Sequence, residues 1–93
     1  MDDIARVRVV VTGVVQGVGF RSFATHLARE YAIKGWVRNR ADGAVELEAE
    51  AERAIVESFL RDIRIGPSRA EVAGLAVENI PPLGAETGFS MRF

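Results

Sequence analysis

The sequence predicts an α+β sandwich, an antiparallel sheet carrying two helices on one face. Three observations lead there: two amphipathic helical stripes, strand-like alternation around them, and Asp-Gly and Gly-Pro breaks between segments. Ile4 to Thr12 is rich in β-branched residues, with Val7, Val9 and Val11 on one side and Arg6 and Arg8 on the other, which reads as a first strand. Phe20, Phe23, Ala24, Leu27, Ala28 and Tyr31 then recur at the spacing of one helix face. A second strand spans about Lys34 to Arg40 and runs into Asp42-Gly43, a hairpin signal because both residue types tolerate positive φ.

The third strand alternates strictly. Val45, Leu47, Ala49 and Ala51 face one way and Glu46, Glu48, Glu50 and Glu52 the other, so the glutamate side is expected to be solvated and paired with Arg6, Arg8, Arg38 and Arg40 on neighbouring strands. From about Arg53, the residues Ile55, Val56, Phe59, Leu60 and Ile63 mark a second helix, stopped by Gly66-Pro67. A fourth strand lies near Arg69 to Glu78, and its alternation slips at Gly74, the mark of a β-bulge. After Pro81-Pro82, Thr87 to Phe93 closes the chain with Phe89, Met91 and Phe93 on one face. The order β-α-β-β-α-β allows two right-handed split β-α-β units, the ferredoxin-like arrangement.

The chain has 93 residues, enough for one domain (1–93) with a single core. Its 12 basic and 13 acidic residues leave a net charge of −1, and no basic tract is present to drive nucleic-acid binding. The absence of cysteine excludes disulfides and thiolate chemistry. With no long apolar run and an acidic start at Met1-Asp2-Asp3, neither a membrane span nor a signal peptide is expected, which points to the cytoplasm.

Chemistry is concentrated in Gly13-Val14-Val15-Gln16-Gly17-Val18-Gly19-Phe20-Arg21, where three glycines lead from a strand into a helix that begins with an arginine. Such a turn can expose successive N–H groups, the helix start adds unpaired donors and partial positive charge, and Arg21 supplies a forked cation. On residues alone, phosphate binding and a packing turn are equally open. The only glutamine, Gln16, and one of only two asparagines, Asn39, fall in the suspected motifs.

Gly13-x-Val15-Gln16-Gly17-Val18-x-Phe20-Arg21 resembles the first signature of the acylphosphatase family, and Gly35-Trp36-Val37-Arg38-Asn39-x-x-x-Gly43-x-Val45 resembles the second. The resemblance covers Ile4 to Phe93 and implies the fold derived above. It also implies hydrolysis of acyl phosphates, without metal or organic cofactor. By the same resemblance, Arg21 and the backbone N–H groups of Gln16, Gly17, Val18, Gly19 and Phe20 hold the phosphate, and Asn39 orients the attacking water. Gln16 is read as bracing the loop. Two positions depart from the family pattern: Ala51 stands where a glycine is frequent, and Tyr31-Ala32-Ile33 follows the first helix without the usual glycine. Ala32 in a left-handed cap would cost up to about 1 kcal/mol, so that helix is expected to end differently.

Each residue has a plainer reading. An arginine at a helix start is commonly a solvated charge, although its sign opposes the helix N-terminus unless an anion is present. An asparagine before a turn is commonly a turn-former. His26 lies on the outer side of its helix with no carboxylate or second histidine at ligand spacing, and is read as a surface residue. One alternative function is an acylphosphatase-like accessory domain that binds carbamoyl phosphate-type ligands without catalysis. A second is a ferredoxin-like module for RNA or a regulatory small molecule; for RNA, Trp36 would be the lone stacking platform. The leading expectation is a monomeric enzyme acting on a small acyl phosphate, with no nucleic-acid or membrane partner.

Overall fold

A computed structural model describes residues 3–84 and 87–93, so the acidic start at Met1 and Asp2 lies outside the described residues. Its elements are β1 (Ile4–Val14), α1 (Phe20–Glu30), β2 (Lys34–Asn39), β3 (Val45–Glu52), α2 (Arg53–Ile65), β4 (Glu71–Ile80) and β5 (Phe89–Arg92). The sheet order is β4-β1-β3-β2-β5. The first four strands pair antiparallel, as the split β-α-β order requires. The closing strand instead adds parallel to β2, which makes the sheet mixed and leaves β4 and β5 on opposite edges.

Both helices cover the face bearing Val7, Val9, Val11, Val37, Val45 and Leu47. Phe20, Ala24 and Ala28 of α1 and Val56, Phe59 and Ile63 of α2 reach this core, and Phe59 meets Tyr31 and Phe89 edge-on. Burial of one such phenylalanine contributes about 1.5–3 kcal/mol. Tyr31 also donates its hydroxyl to Asp62 at 2.8 Å and so ties the end of α1 to α2.

Local irregularities follow the sequence closely, with one exception. β4 slips register between its pairs Thr12↔Gly74 and Gly13↔Val72, so Ala73 is the extra residue of the expected bulge. Ala32, by contrast, does adopt φ 55°. Its N–H donates to the Arg29 carbonyl at 3.2 Å and that of Ile33 to the Ala28 carbonyl at 2.8 Å, the paired bonds of a Schellman cap. Burial of Ile33 beneath the cap holds alanine in a conformation that favours glycine.

The expectation of a solvated glutamate face is overturned. Glu46, Glu48 and Glu50 are only 8%, 7% and 5% exposed, and Arg6 is 1% exposed. The arginine–glutamate pairing itself is present: Arg6 Nε donates to Glu48 at 2.8 Å, Arg6 Nη1 to Glu50 at 3.1 Å, and Arg38 Nη2 to Glu46 at 2.6 Å. Topology supplies the cover over Glu50. The connection from β4 to β5 must pass from one edge of the sheet to the other, and on its way Leu83 and Gly84 donate their N–H groups to the Glu50 carboxylate at 2.7 and 3.1 Å. Trp36 is covered as well, by the Arg92 guanidinium 4.5 Å from its ring, so it offers no open platform for a base.

Replacing Ala32 with glycine should raise stability by about 0.5–1 kcal/mol, since it relieves a left-handed alanine at some cost in unfolded-chain entropy. Urea unfolding checks this, and a destabilised variant contradicts it. A second expectation concerns acid. Burial alone would raise the pKa of Glu50, but the Leu83 and Gly84 N–H groups and Arg6 hold it below the ordinary glutamate value. A carboxylate so depressed stabilises fully above its unfolded pKa and loses that contribution as pH falls through the folded one. Stability should therefore decline below about pH 4.3, and Glu50→Gln should flatten that decline.

Candidate active site

Two loops that are distant in sequence emerge at one end of the sheet because β1 and β2 run parallel on either side of β3. The loop leaving β1 carries Val15 to Gly19, and β2 ends at Asn39 beside its turn into β3. Gly17 and Gly19 have φ of 74° and 79°, and a Cβ at either would meet nothing within 4 Å, so backbone conformation and not crowding calls for glycine there. Gly13 differs. A Cβ on it would strike the Glu71 carbonyl, so this glycine serves the close approach of β1 to β4 at the bulge, away from the other two.

Helix α1 begins at Phe20 behind Gly19, which has no side chain to cap it, and no acidic residue occupies the first turn. Its first-turn N–H groups are thus not taken by a side-chain cap. Arg21 projects from this turn and is held from β5: its Nη1 donates to the Arg92 carbonyl at 3.1 Å, and its guanidinium lies 4.6 Å from the centroid of the Phe93 ring.

Arg21 and Asn39 meet in a small cavity of about 140 Å³. Val15, Phe20 and Met91 form its apolar walls, Gly17 and Gly19 contribute backbone, and Ser22 adds a hydroxyl. Arg21 is the one charged residue among these lining groups. The Asn39 amide makes no hydrogen bond to any described residue. Gln16 and Val18 stand outside the lining. Gln16 instead donates Nε2 to both the Arg40 carbonyl at 2.7 Å and the Ala44 carbonyl at 2.9 Å, which ties the glycine loop to the β2–β3 turn.

That turn is itself well determined. Arg40 N–H donates to Ala44 at 2.8 Å, and Asp42 accepts from the Ala44 N–H at 3.1 Å. Of its Asp42-Gly43 pair, only Gly43 is left-handed, at φ 94°. The Ala44 N–H, with Arg40 at 2.9 Å, holds the Asp42 carboxyl below its ordinary pKa, so the turn keeps its charge pair to low pH.

A site with one cation, a donor-rich backbone turn and one amide suits a small anion beside a polar molecule. His26 is exposed, as expected, but a carboxylate does stand at helical spacing from it: Glu30, four residues on, lies 4.0 Å away as an exposed pair. Among the described residues, no group of three or more acidic or histidine side chains could hold a metal ion, and no helix is long and apolar enough to cross a membrane. A larger cavity of about 590 Å³ lies at the opposite end of the sheet, between Ile4, Tyr31, Ile55 and Leu83, and contains neither Arg21 nor Asn39. The contribution of β5 through Met91, Arg92 and Phe93 was not foreseen from sequence. The available signal was Met91 and Phe93 alternating with Phe89, but nothing in the sequence showed which strand β5 joins.

Known proteins of similar sequence and fold include acylphosphatases. The acylphosphatase family model matches residues 7–91. The chain is 47% identical over 93 residues to an acylphosphatase of Anaeromyxobacter dehalogenans, covering 100% of both chains. Its fold matches the crystal structure of acylphosphatase from Bacillus subtilis with a TM-score of 0.92 and 35% identity, over 96% of this chain and 99% of that one. It also matches full-length HypF in a phosphate- and nucleotide-bound form, with a TM-score of 0.87 and 27% identity, but over only 12% of that longer chain.

The paired hydrogen bonds from Gln16 yield a direct test. Gln16→Ala removes two hydrogen bonds to half-buried carbonyls and should cost about 1–3 kcal/mol in urea unfolding. An unchanged midpoint would show that the two loops hold their places without this amide.

Proposed function

The chain belongs to the acylphosphatase family and hydrolyses the carboxyl–phosphate anhydride of acyl phosphates, and from that premise we propose how its own residues divide the work. Arg21 and the backbone N–H groups of residues 16–21 hold the phosphoryl group, and Asn39 orients the attacking water. The observation that carries this reading is the convergence of Arg21, the glycine turn and Asn39 on one cavity of about 140 Å³.

The chemistry accounts for so sparse a site. The leaving group of an acyl phosphate is a weakly basic carboxylate, which departs without a strong general acid. What remains is to fix the phosphoryl group, offset charge on its equatorial oxygens and place a water in line with the bridging oxygen. Arginine offers planar paired donors to phosphate oxygens, and a neutral amide can accept a hydrogen bond from water without adding negative charge. The water oxygen bonds to phosphorus, the bond from phosphorus to the bridging oxygen breaks, and the carboxylate leaves with that electron pair. The water proton passes to solvent, giving carboxylate and inorganic phosphate. No step calls for a metal or an organic cofactor.

Gln16 supports this reading by bracing the loop from outside the cavity. The glycine-rich turn makes sense of Arg21 at a helix start, where a cation without an anion would be unfavourable. We take the chain to act as a cytoplasmic monomer on a small-molecule substrate, in keeping with its near-neutral charge and cysteine-free composition.

Steady-state hydrolysis of an aromatic acyl phosphate in excess chelator tests these roles. Wild-type activity should survive chelation, and Arg21→Gln should lose measurable phosphate binding. Asn39→Ala should turn over about 100- to 1,000-fold more slowly with phosphate binding nearly intact. Wild-type rates in either variant would remove the assigned roles, and activity that chelation abolishes would remove the metal-free scheme.

A further inference from the structure

The buried carboxylate of Glu50 has no part in the chemistry above, and it stands far from it. The cavity opens at the Val45 end of β3, and Glu50 lies five residues along that strand, about 17 Å away at 3.4 Å per residue. On the sheet face away from the helices it sits between Arg6 and Lys34, its register partners on β1 and β2, with Glu48 beside it on its own strand. Arg6 Nη1 donates to its Oε1 at 3.1 Å, and Leu83 and Gly84 donate their backbone N–H groups to Oε1 and Oε2 at 2.7 and 3.1 Å.

We propose that Glu50 is a positioning residue for Arg21, acting through the connection that it pins and the strand β5 to which that connection leads. The proposal rests on the reading of Arg21 as the phosphate ligand. The physical chain is short. The connection leaves β4 at Ile80, is held at Leu83 and Gly84, and reaches β2 where the Gly88 carbonyl accepts the Gly35 N–H at 3.0 Å. β5 begins at the next residue, and its Arg92 carbonyl and the following Phe93 ring hold the Arg21 guanidinium.

β5 needs such help. It has four residues, lies at a sheet edge and pairs with β2 alone, and its attachment to the core rests chiefly on Phe89 at its first position. Eight residues separate Ile80 from Phe89; with Gly84 held on Glu50, four separate the fixed point from Phe89. Loop-closure entropy alone makes that about a threefold difference in how often the far end is docked, and each lost hydrogen bond adds to it. Phosphate binding senses the difference, because an Arg21 released from Arg92 and Phe93 must be ordered again by the ligand.

Equilibrium binding of inorganic phosphate, measured at one neutral pH with melting curves to verify folding, tests the proposal. Glu50→Gln keeps the shape of the side chain but turns a donor toward the Gly84 N–H. Leu83→Pro removes one N–H donor and leaves the buried Arg6–Glu50 pair in place, so it carries the same test if the first variant folds poorly. In both, Kd should rise about three- to tenfold with turnover at saturating substrate much less affected. A purely structural role would lower the melting temperature and leave Kd of the folded protein at the wild-type value, and that result in either folded variant overturns the proposal. Arg21→Gln serves as the reference: loss of binding there with wild-type binding in the other two refutes only the role of Glu50. Retained binding in Arg21→Gln overturns the reading of the site and the proposal with it.

Discussion

The two hydrogen bonds that the Gln16 amide donates to the Arg40 and Ala44 carbonyls are the interaction on which the site depends. β1 and β2 both flank β3, so the strands that lead to the glycine loop and to Asn39 lie two strand spacings apart, about 10 Å. Backbone groups cannot bond across that gap. A long neutral side chain with two donors on one nitrogen can, and it does so without placing a charge beside a site that must receive an anion. The glycine loop supplies donors, the turn supplies Asn39, and the Gln16 amide fixes one relative to the other.

A second constraint comes from the edges of the sheet. Consecutive strands β4 and β5 occupy opposite edges, so the chain between them has to traverse the face away from the helices. That crossing caps a buried cluster of Arg6, Glu48 and Glu50 through Glu50, with Arg6 1% exposed, whereas Arg8 and Arg38 keep their side chains 45% exposed. A buried ion pair contributes little net stability when both charges lose their hydration, so the cluster is better understood as fixing where the crossing chain lies. Glu50 does this with two backbone N–H groups, which leaves the helix-covered face free to be almost wholly apolar.

Legibility in the sequence followed the range of the interactions. Helix stripes, the Asp42-Gly43 turn and the bulge beside Gly74 depend on local conformation and were readable from spacing. The pairing partners of Arg6, Arg8 and Arg38 followed from strand alternation, but the cover over Glu50 did not, because it comes from a segment more than thirty residues away. The parallel attachment of β5 was equally hidden: alternation marks Phe89, Met91 and Phe93 as one face but says nothing of the neighbouring strand. Ala32 adopted the conformation that its side chain disfavours because two backbone bonds and the burial of Ile33 outweigh a local cost of about 1 kcal/mol. Of the suspected phosphate loop, Gly17, Gly19, Phe20 and Arg21 line the cavity with Asn39, whereas Gly13 serves strand packing and Gln16 reaches away to the turn.

The roles of Arg21 and Asn39 require the water to attack phosphorus. Hydrolysis of acetyl phosphate in water enriched with oxygen-18, followed by mass spectrometry of both products, reads this directly. Attack on phosphorus by a water that Asn39 orients places the label in inorganic phosphate and leaves the acetate unlabelled. Label in the acetate would mean attack at the carbonyl carbon, which the assignment of Arg21 and Asn39 to the phosphoryl group does not allow.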